Sequence, residues 1–193
     1  MLFKTIISVT VAATSALAAP LEVRCPGCPS RSLITPSSTW QYSVKDGAIS
    51  STSTIVEVYK APGNGGKDQT ALVTFTYPVA AKGKQCQFEF YLPASASPAG
   101  SKKLDVFSSN KPAPGPTSGG SPGNQRNSHL GRLSVVPGAA ATWDSTQGSY
   151  LTTKVPCKEP NTVEAFELVG VYDFDSINWN PSSGDGLRIV YSS

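Results

Sequence analysis

The strongest constraint on the fold is a strict alternation of apolar and polar residues in the segment 86–92, Cys-Gln-Phe-Glu-Phe-Tyr-Leu. In an extended chain Cys86, Phe88, Phe90 and Leu92 lie on one face, and the residues between them lie on the other. This period of two predicts a strand that packs one face on a hydrophobic core and turns the other towards solvent.

Short runs rich in β-branched and aromatic residues recur along the chain, and segments rich in glycine and proline separate them. We predict further strands at 39–44, 54–60, 70–77, 104–108, 130–136, 150–155, 163–172 and 187–191. No segment shows a helical period of useful length. The pattern is typical of an all-β fold, an antiparallel β-sandwich or jelly-roll-like single domain.

The first 18 residues are typical of a secretion signal. Lys4 precedes an apolar run, and Ala16-Leu17-Ala18 fits the small-x-small rule for cleavage. The run is too short to span a bilayer, and the chain ends without the apolar tail that directs a lipid anchor. We expect a secreted protein, cleaved after Ala18 and without a membrane anchor. Residues 19–36 then form a turn-rich N-terminal segment, and residues 37–193 form the β-sandwich domain.

Four cysteines follow the predicted signal: Cys25, Cys28, Cys86 and Cys157. An even number in a secreted chain predicts two disulfides, for which three pairings are possible. Cys86 and Cys157 lie in or just after predicted strands and could bridge them, which would leave Cys25 and Cys28 to close a very short loop. A redox role for the C-x-x-C pair is disfavoured because no helical pattern follows it.

The segment from Ser109 to Ser128 is rich in proline, glycine and serine and has almost no apolar residues. Such a composition buries too little surface to offset the entropy of ordering. We predict a mobile loop at 109–128, and a loop this long is either functional or disordered.

The charge of the chain is mild, with 16 Lys and Arg against 13 Asp and Glu and a formal net charge of +3. The basic residues are scattered and do not form the clustered stripe that nucleic-acid binding requires. We expect a monomer with no nucleic-acid partner.

No complete catalytic motif is present, and we assign no catalytic residue. His129 is the single histidine, and no Gly-x-Ser-x-Gly occurs. Glycosidases use two carboxylates that flank a cleft, and nothing in the sequence brings together any two of Glu57, Glu89, Glu164 and Glu167. A polysaccharide-active hydrolase or lyase stays an alternative, because pairing between distant residues is not visible in a sequence.

The segment 173–185 is rich in the hard oxygen ligands that Ca²⁺ prefers. The candidate ligands are Asp173, Asp175, Asn178 and Asp185, and we expect the first two on one face of a strand end. Their spacing does not match an EF-hand loop, and the same residue types dominate ordinary turns. Calcium is therefore the one candidate cofactor, with turn chemistry as the alternative.

Three tryptophans offer a binding route. Trp40, Trp143 and Trp179 are candidates for a sugar-stacking platform, because indole combines a flat apolar face with a polar group. Trp179 lies between two asparagines in a loop-like stretch, so we expect it to be the most exposed of the three.

Four segments together resemble a known fungal family: Cys86–Pro93, 103–108, Pro156-Cys157 and Leu168–Trp179. They are similar to the C-terminal domain of the ubiquitin-3-binding-protein family over about residues 37–193. The resemblance implies a β-sandwich-like domain of a secreted or wall-associated protein, and it supports pairing Cys86 with Cys157. The family has no agreed catalytic residues, so it implies none here. The predicted secretion signal argues against a ubiquitin-linked role inside cells.

These observations favour a secreted, non-catalytic binding protein of the fungal cell wall or another extracellular surface, with cell-wall polysaccharide as the candidate partner. One alternative is the polysaccharide-active enzyme. The other is a protein-interaction module that acts through an edge strand or through the 109–128 loop.

Overall fold

The structure, a computed structural model, describes residues 22–23, 31–52, 54–119, 125–148 and 150–193. The predicted signal peptide and the predicted Cys25–Cys28 pair lie outside these residues. The described chain consists of β-strands with two short 3₁₀ turns, at Val79–Ala81 and Pro181–Ser183. The predicted all-β class is therefore confirmed. Within the described ranges, none of the helices has the length and apolar content needed to cross a bilayer.

The strands differ in length from two to nine residues. They are β1 (Glu22–Val23), β2 (Arg31–Ile34), β3 (Ser38–Ser43), β4 (Ile49–Ser51), β5 (Val56–Lys60), β6 (Gln69–Thr76), β7 (Gln85–Tyr91), β8 (Ala99–Gly100), β9 (Lys103–Ser109), β10 (Arg126–Ser134), β11 (Thr142–Thr146), β12 (Val155–Pro156), β13 (Val163–Gly170), β14 (Asp175–Trp179) and β15 (Gly186–Ser192).

Two sheets form the sandwich. Sheet A has the order β1-β2-β15-β7-β12, and sheet B follows β11-β10-β9-β13-β6-β5-β14-β8, with β3 beside β6 and β4 beside β3. The pairs between these strands are antiparallel. In sheet A, β15 lies between β2 and β7, so Arg31–Ile34 of the predicted N-terminal segment belongs to the sandwich.

The core lies between the inward faces of the two sheets. In β7 the predicted alternation is observed, with Cys86, Phe88 and Phe90 buried and the residues between them half-buried. The Phe88 ring meets Phe166 of β13 edge-on, with ring centroids 4.8 Å apart. Such aromatic pairs add about 1 kcal/mol beyond the burial of their surface.

A disulfide joins Cys86 of β7 to Cys157, just after β12. The pairing that the family resemblance supports is therefore confirmed. β12 has two residues, Val155 and Pro156, which pair with the beginning of β7. The Cys157 amide also donates a hydrogen bond to the Lys84 carbonyl at 2.9 Å. The covalent bond thus secures an edge strand that few main-chain hydrogen bonds hold.

The predicted 109–128 loop is shorter in the structure. β9 includes Ser109, and β10 begins at Arg126, because those residues continue the ladder between the two strands. Of the residues between, 110–119 are described, and Thr117 exchanges two main-chain hydrogen bonds of 2.8 and 3.1 Å with Ile49 of β4. This part of the loop is tied to β4 of sheet B, and its mobility stays a prediction.

We expect loss of the Cys86–Cys157 bond to lower the free energy of unfolding by about 4 kcal/mol, because the bond restricts a long loop of the unfolded chain. The two cysteines are 71 residues apart in sequence. The test is urea unfolding of a Cys86→Ala/Cys157→Ala variant against the wild type. An unchanged midpoint at an unchanged slope would show that the bond does not stabilise the fold.

Candidate functional site

A groove of about 530 Å³ lies beside β7. Its volume is within the range of about 300–1,000 Å³ that ligand pockets occupy. The side chains that give it chemical character are Gln85, Gln87, Glu89, Trp143, Lys154 and Ser192.

The floor of the groove follows from the alternation in β7. The residues that do not enter the core, Gln85, Gln87 and Glu89, point outwards together. The antiparallel register places Ser192 and Val190 of β15 opposite the two glutamines. At about 3.3 Å per residue, the row from Gln85 to Glu89 is about 13 Å long.

The wall of the groove comes from Ala140, Ala141, Trp143 and Lys154, on the side of β7 away from β15. Ala141 donates a main-chain hydrogen bond of 2.8 Å to Phe90, and Phe88 donates one of 2.7 Å to Leu151. Between these two attachments lies Trp143 of β11. A chain segment far from β7 in sequence therefore completes the site.

Trp143 is held in a half-buried position by a glycine. It pairs with Leu133 across the β10–β11 ladder. Its ring lies against Gly131, where an added Cβ would stand 2.8 Å from the indole. Only glycine leaves room for the ring, so the backbone of β10 fixes the tryptophan that lines the groove.

The carboxylate in the groove is paired. Arg188 of β15 lies directly opposite Glu89. It donates from Nε to Glu89 Oε1 at 2.9 Å, and one terminal guanidinium nitrogen donates to the same oxygen. The guanidinium also lies 4.6 Å from the centre of the Tyr91 ring. Among the described residues that line the groove, Glu89 has the single carboxylate side chain, whereas glycoside hydrolysis uses two.

Glu164 binds two tyrosines. Its carboxylate accepts hydrogen bonds from the Tyr77 hydroxyl at 2.8 Å and from the Tyr150 hydroxyl. Burial, and then the neighbouring carboxylate, raise the pKa of both phenols, so both remain protonated donors. Tyr77 is 1% exposed, whereas Glu164 and Tyr150 are half-buried. Both tyrosine hydroxyls are thus engaged by the carboxylate, outside the groove.

The other two glutamates are also engaged. Glu167 is fully buried on the outer face of sheet B, and Arg126 donates to both of its oxygens at 2.8 and 2.6 Å. Such pairing offsets much of the cost of burying a carboxylate. Glu57 accepts a hydrogen bond of 2.9 Å from the Ser176 hydroxyl. The four candidate glutamates thus belong to four separate networks.

Asp175, a predicted calcium ligand, organises two turns. It is fully buried, and both of its oxygens accept hydrogen bonds from the Ser101 hydroxyl, at 2.8 and 2.9 Å. The main-chain amides of Lys102 and Val171 donate to it at 2.8 Å each. These bonds lock the turn before β9 to the turn after β13.

The remaining predicted calcium ligands are dispersed. Asp173 and Asn178 are exposed and Asp185 is half-buried, whereas Asp175 points inwards. The part of the chain that the structure describes holds no group of three or more His, Cys, Asp or Glu that would suit a metal ion. The predicted ligand set is therefore wrong, because β14 turns Asp175 and Asn178 to opposite faces and uses the aspartate as a turn acceptor.

The prediction that Trp179 is exposed is also wrong. Trp179 is 4% exposed and meets Phe90 edge-on at 5.2 Å between ring centroids. It is the last inward residue of β14, after Asp175 and Ile177. The asparagines on both sides of Trp179 are typical of loops, so the sequence indicated a loop at the position where β14 ends.

Trp40 lies on the outer face of sheet B, half-buried and opposite Leu72 of β6. Its indole nitrogen is buried and has no hydrogen-bond partner in the described residues. Of the three candidate tryptophans, Trp143 is the one that lines the groove. Sequence reasoning missed Gln85 and Lys154, although the period of two places Gln85 on the outward face with Gln87.

The fold and the groove define the class of protein: an all-β sandwich with a polar groove beside a half-buried tryptophan. No protein-family model matches the chain, and no curated protein is significantly similar to it. The resemblance to the ubiquitin-3-binding-protein family therefore stays a prediction.

We expect Asp175→Ala to lower the free energy of unfolding by about 3 kcal/mol, because it leaves buried amides without an acceptor. The control is Asp173→Ala at the neighbouring exposed residue, which should change the free energy of unfolding by less than about 0.5 kcal/mol. Both are measured by urea unfolding with calcium and with EDTA. Stabilisation by calcium in the wild type that disappears in Asp175→Ala would contradict the structural role.

We expect stability to fall as the pH rises above about 10. The pKa values of Tyr77 and Tyr150 are raised in the folded protein. The unfolded chain therefore loses these protons first, at about 1.4 kcal/mol per pH unit for each tyrosine. Tyr77→Phe should reduce the dependence of the unfolding free energy on pH by the contribution of one tyrosine. Equal pH dependence in the wild type and in Tyr77→Phe, measured by urea unfolding at alkaline pH, would refute the assignment.

Proposed function

We propose that this protein is a secreted, non-catalytic binding protein of the fungal cell wall or another extracellular surface, and that it holds a polysaccharide chain in the groove beside β7. The observation that supports this most is the position of Trp143 next to an outward row of amide and hydroxyl groups.

The indole and the polar side chains of the groove suit different parts of a sugar. The flat indole of Trp143 offers an apolar surface for the C–H face of a pyranose ring. The amides of Gln85 and Gln87 carry both donors and an acceptor, and the Ser192 hydroxyl does the same, so they match the hydroxyl groups of a sugar. The row runs along one strand, which suits a linear chain better than a compact ligand.

The groove is partly preorganised. The Gln87 side-chain amide donates to the Thr152 carbonyl at 3.2 Å, and the Gly131 backbone fixes the ring of Trp143. Side chains that are already ordered lose less conformational entropy when a ligand binds. The arrangement favours binding over catalysis, because Glu89, the carboxylate of the groove, is held by Arg188.

The extracellular part of the proposal has separate support. The sequence begins with a segment typical of a secretion signal. The Cys86–Cys157 disulfide in the structure is of the kind that persists in oxidising compartments.

We expect Trp143→Ala to weaken retention on the cognate polysaccharide at least about tenfold, which corresponds to about 1.4 kcal/mol. The measurement is depletion binding of the purified protein on insoluble chitin, β-glucan and mannan. Tyr172→Ala is the matched control, because Tyr172 is 58% exposed and lies outside the groove.

Circular dichroism and the unfolding midpoint of each variant show whether Trp143→Ala remains folded. Unchanged retention of a folded Trp143→Ala protein would exclude the groove as the binding site. Absence of retention on every polymer, acidic ones included, would exclude the polysaccharide function.

A further inference from the structure

The two ends of the groove differ in charge. Lys154 lines the groove next to Gln87, because the following Val155 pairs with Cys86. Just before β7, Lys84 donates a hydrogen bond of 2.7 Å to the hydroxyl of Ser193, which also lines the groove. At the other end, the carboxylate of Glu89 is paired with Arg188. The groove therefore runs from a cationic end to an ion-paired end.

The two lysines at the cationic end have no carboxylate partner within the described ranges. The lysine ion pairs found there are Lys82–Glu159 and Lys103–Asp144. The arginines that line the sheets are paired as well, since Arg126 binds Glu167 and Arg132 binds Asp105. No carboxylate side chain of the described residues therefore balances the positive charge of Lys84 and Lys154.

An anionic group on the ligand would complete this end of the site. A carboxylate accepts hydrogen bonds from ammonium groups, and bonds between charged partners are stronger than neutral ones. The Gln85 amide and the Ser192 hydroxyl, which pair across β7 and β15, supply further donors at the same place. A saccharide with one carboxylate on a sugar ring satisfies both the cationic end and the indole of Trp143.

We propose that the groove binds an acidic polysaccharide, with a uronate carboxylate at Lys84 and Lys154 and a neighbouring sugar ring on Trp143. This inference rests on the polysaccharide-binding function proposed above and specifies its ligand class. The charge contribution is screened by salt, because the lysines are accessible to solvent. The preference for the acidic ligand should therefore decrease as the ionic strength rises.

The test compares an oligogalacturonate with its methyl ester of the same length, in which each charged carboxylate is replaced by a neutral ester. Affinities are measured by isothermal titration calorimetry at low and high salt, with any affinity tag at the N-terminus because Ser193 lines the groove. The wild type should bind the acid about tenfold more tightly than the ester at low salt, as two accessible ion pairs allow.

Three variants test which residues cause the preference for the acid over the ester. Lys84→Gln/Lys154→Gln should lose the preference for the acid and keep the affinity for the ester. Lys82→Gln is the control, because Lys82 lies near Lys84 in sequence but pairs with Glu159, and it should keep the preference. Trp143→Ala should weaken the binding of both ligands.

The outcomes separate this inference from the function on which it rests. Equal affinity for acid and ester, or an equal loss of preference in Lys82→Gln, would overturn the acidic ligand and leave polysaccharide binding intact. If the protein binds neither ligand but is retained on chitin, β-glucan or mannan, the acidic ligand is likewise overturned and polysaccharide binding stands. Binding of neither ligand and no retention on any polymer would overturn both.

Discussion

The pairing of β7 with β15 is the interaction on which the rest of the structure depends. It joins strands about a hundred residues apart, and its register runs from Gly186 opposite Tyr91 to Ser192 opposite Gln85. Because side chains alternate between faces, this one register decides both what enters the core and what lines the groove. A shift by one residue would expose Phe88 and Phe90 and bury the glutamines. The core therefore enforces the geometry of the site.

The acidic residues in the interior show how this protein uses its reactive groups. Asp175 closes two turns, Glu164 holds two tyrosines, and Glu167 neutralises an arginine against sheet B. A carboxylate that is buried must be paired or hydrogen-bonded, and such a group is poorly placed to exchange protons with a substrate. What stays available at the surface of sheet A is a row of amides and hydroxyls beside an indole, and these are the groups on which the proposed binding function rests.

Local sequence patterns predicted part of this arrangement. They failed where the position of a side chain depends on segments that are distant in sequence. The period of two in residues 86–92 was sufficient to place β7 and its outward face. The same alternation exists in β14, but the inward position of Asp175 hides it, because a charged residue at a core position breaks the apolar pattern. Trp179 was misplaced for that reason. Trp143 was among the candidates, yet its place beside β7 depends on the attachment of Ala141 to Phe90, which no local pattern reveals.

The disulfide connects the stability of the fold with the candidate site. Cys157 follows β12 directly, and Lys154 precedes it directly. A two-residue edge strand has little cooperativity of its own, so the bond reduces local opening at this edge. On the other side of Lys154, Leu151 accepts a main-chain hydrogen bond from Phe88. The covalent bond and this hydrogen bond therefore hold the segment that carries Lys154 beside β7, and the bond restricts the unfolded chain as well.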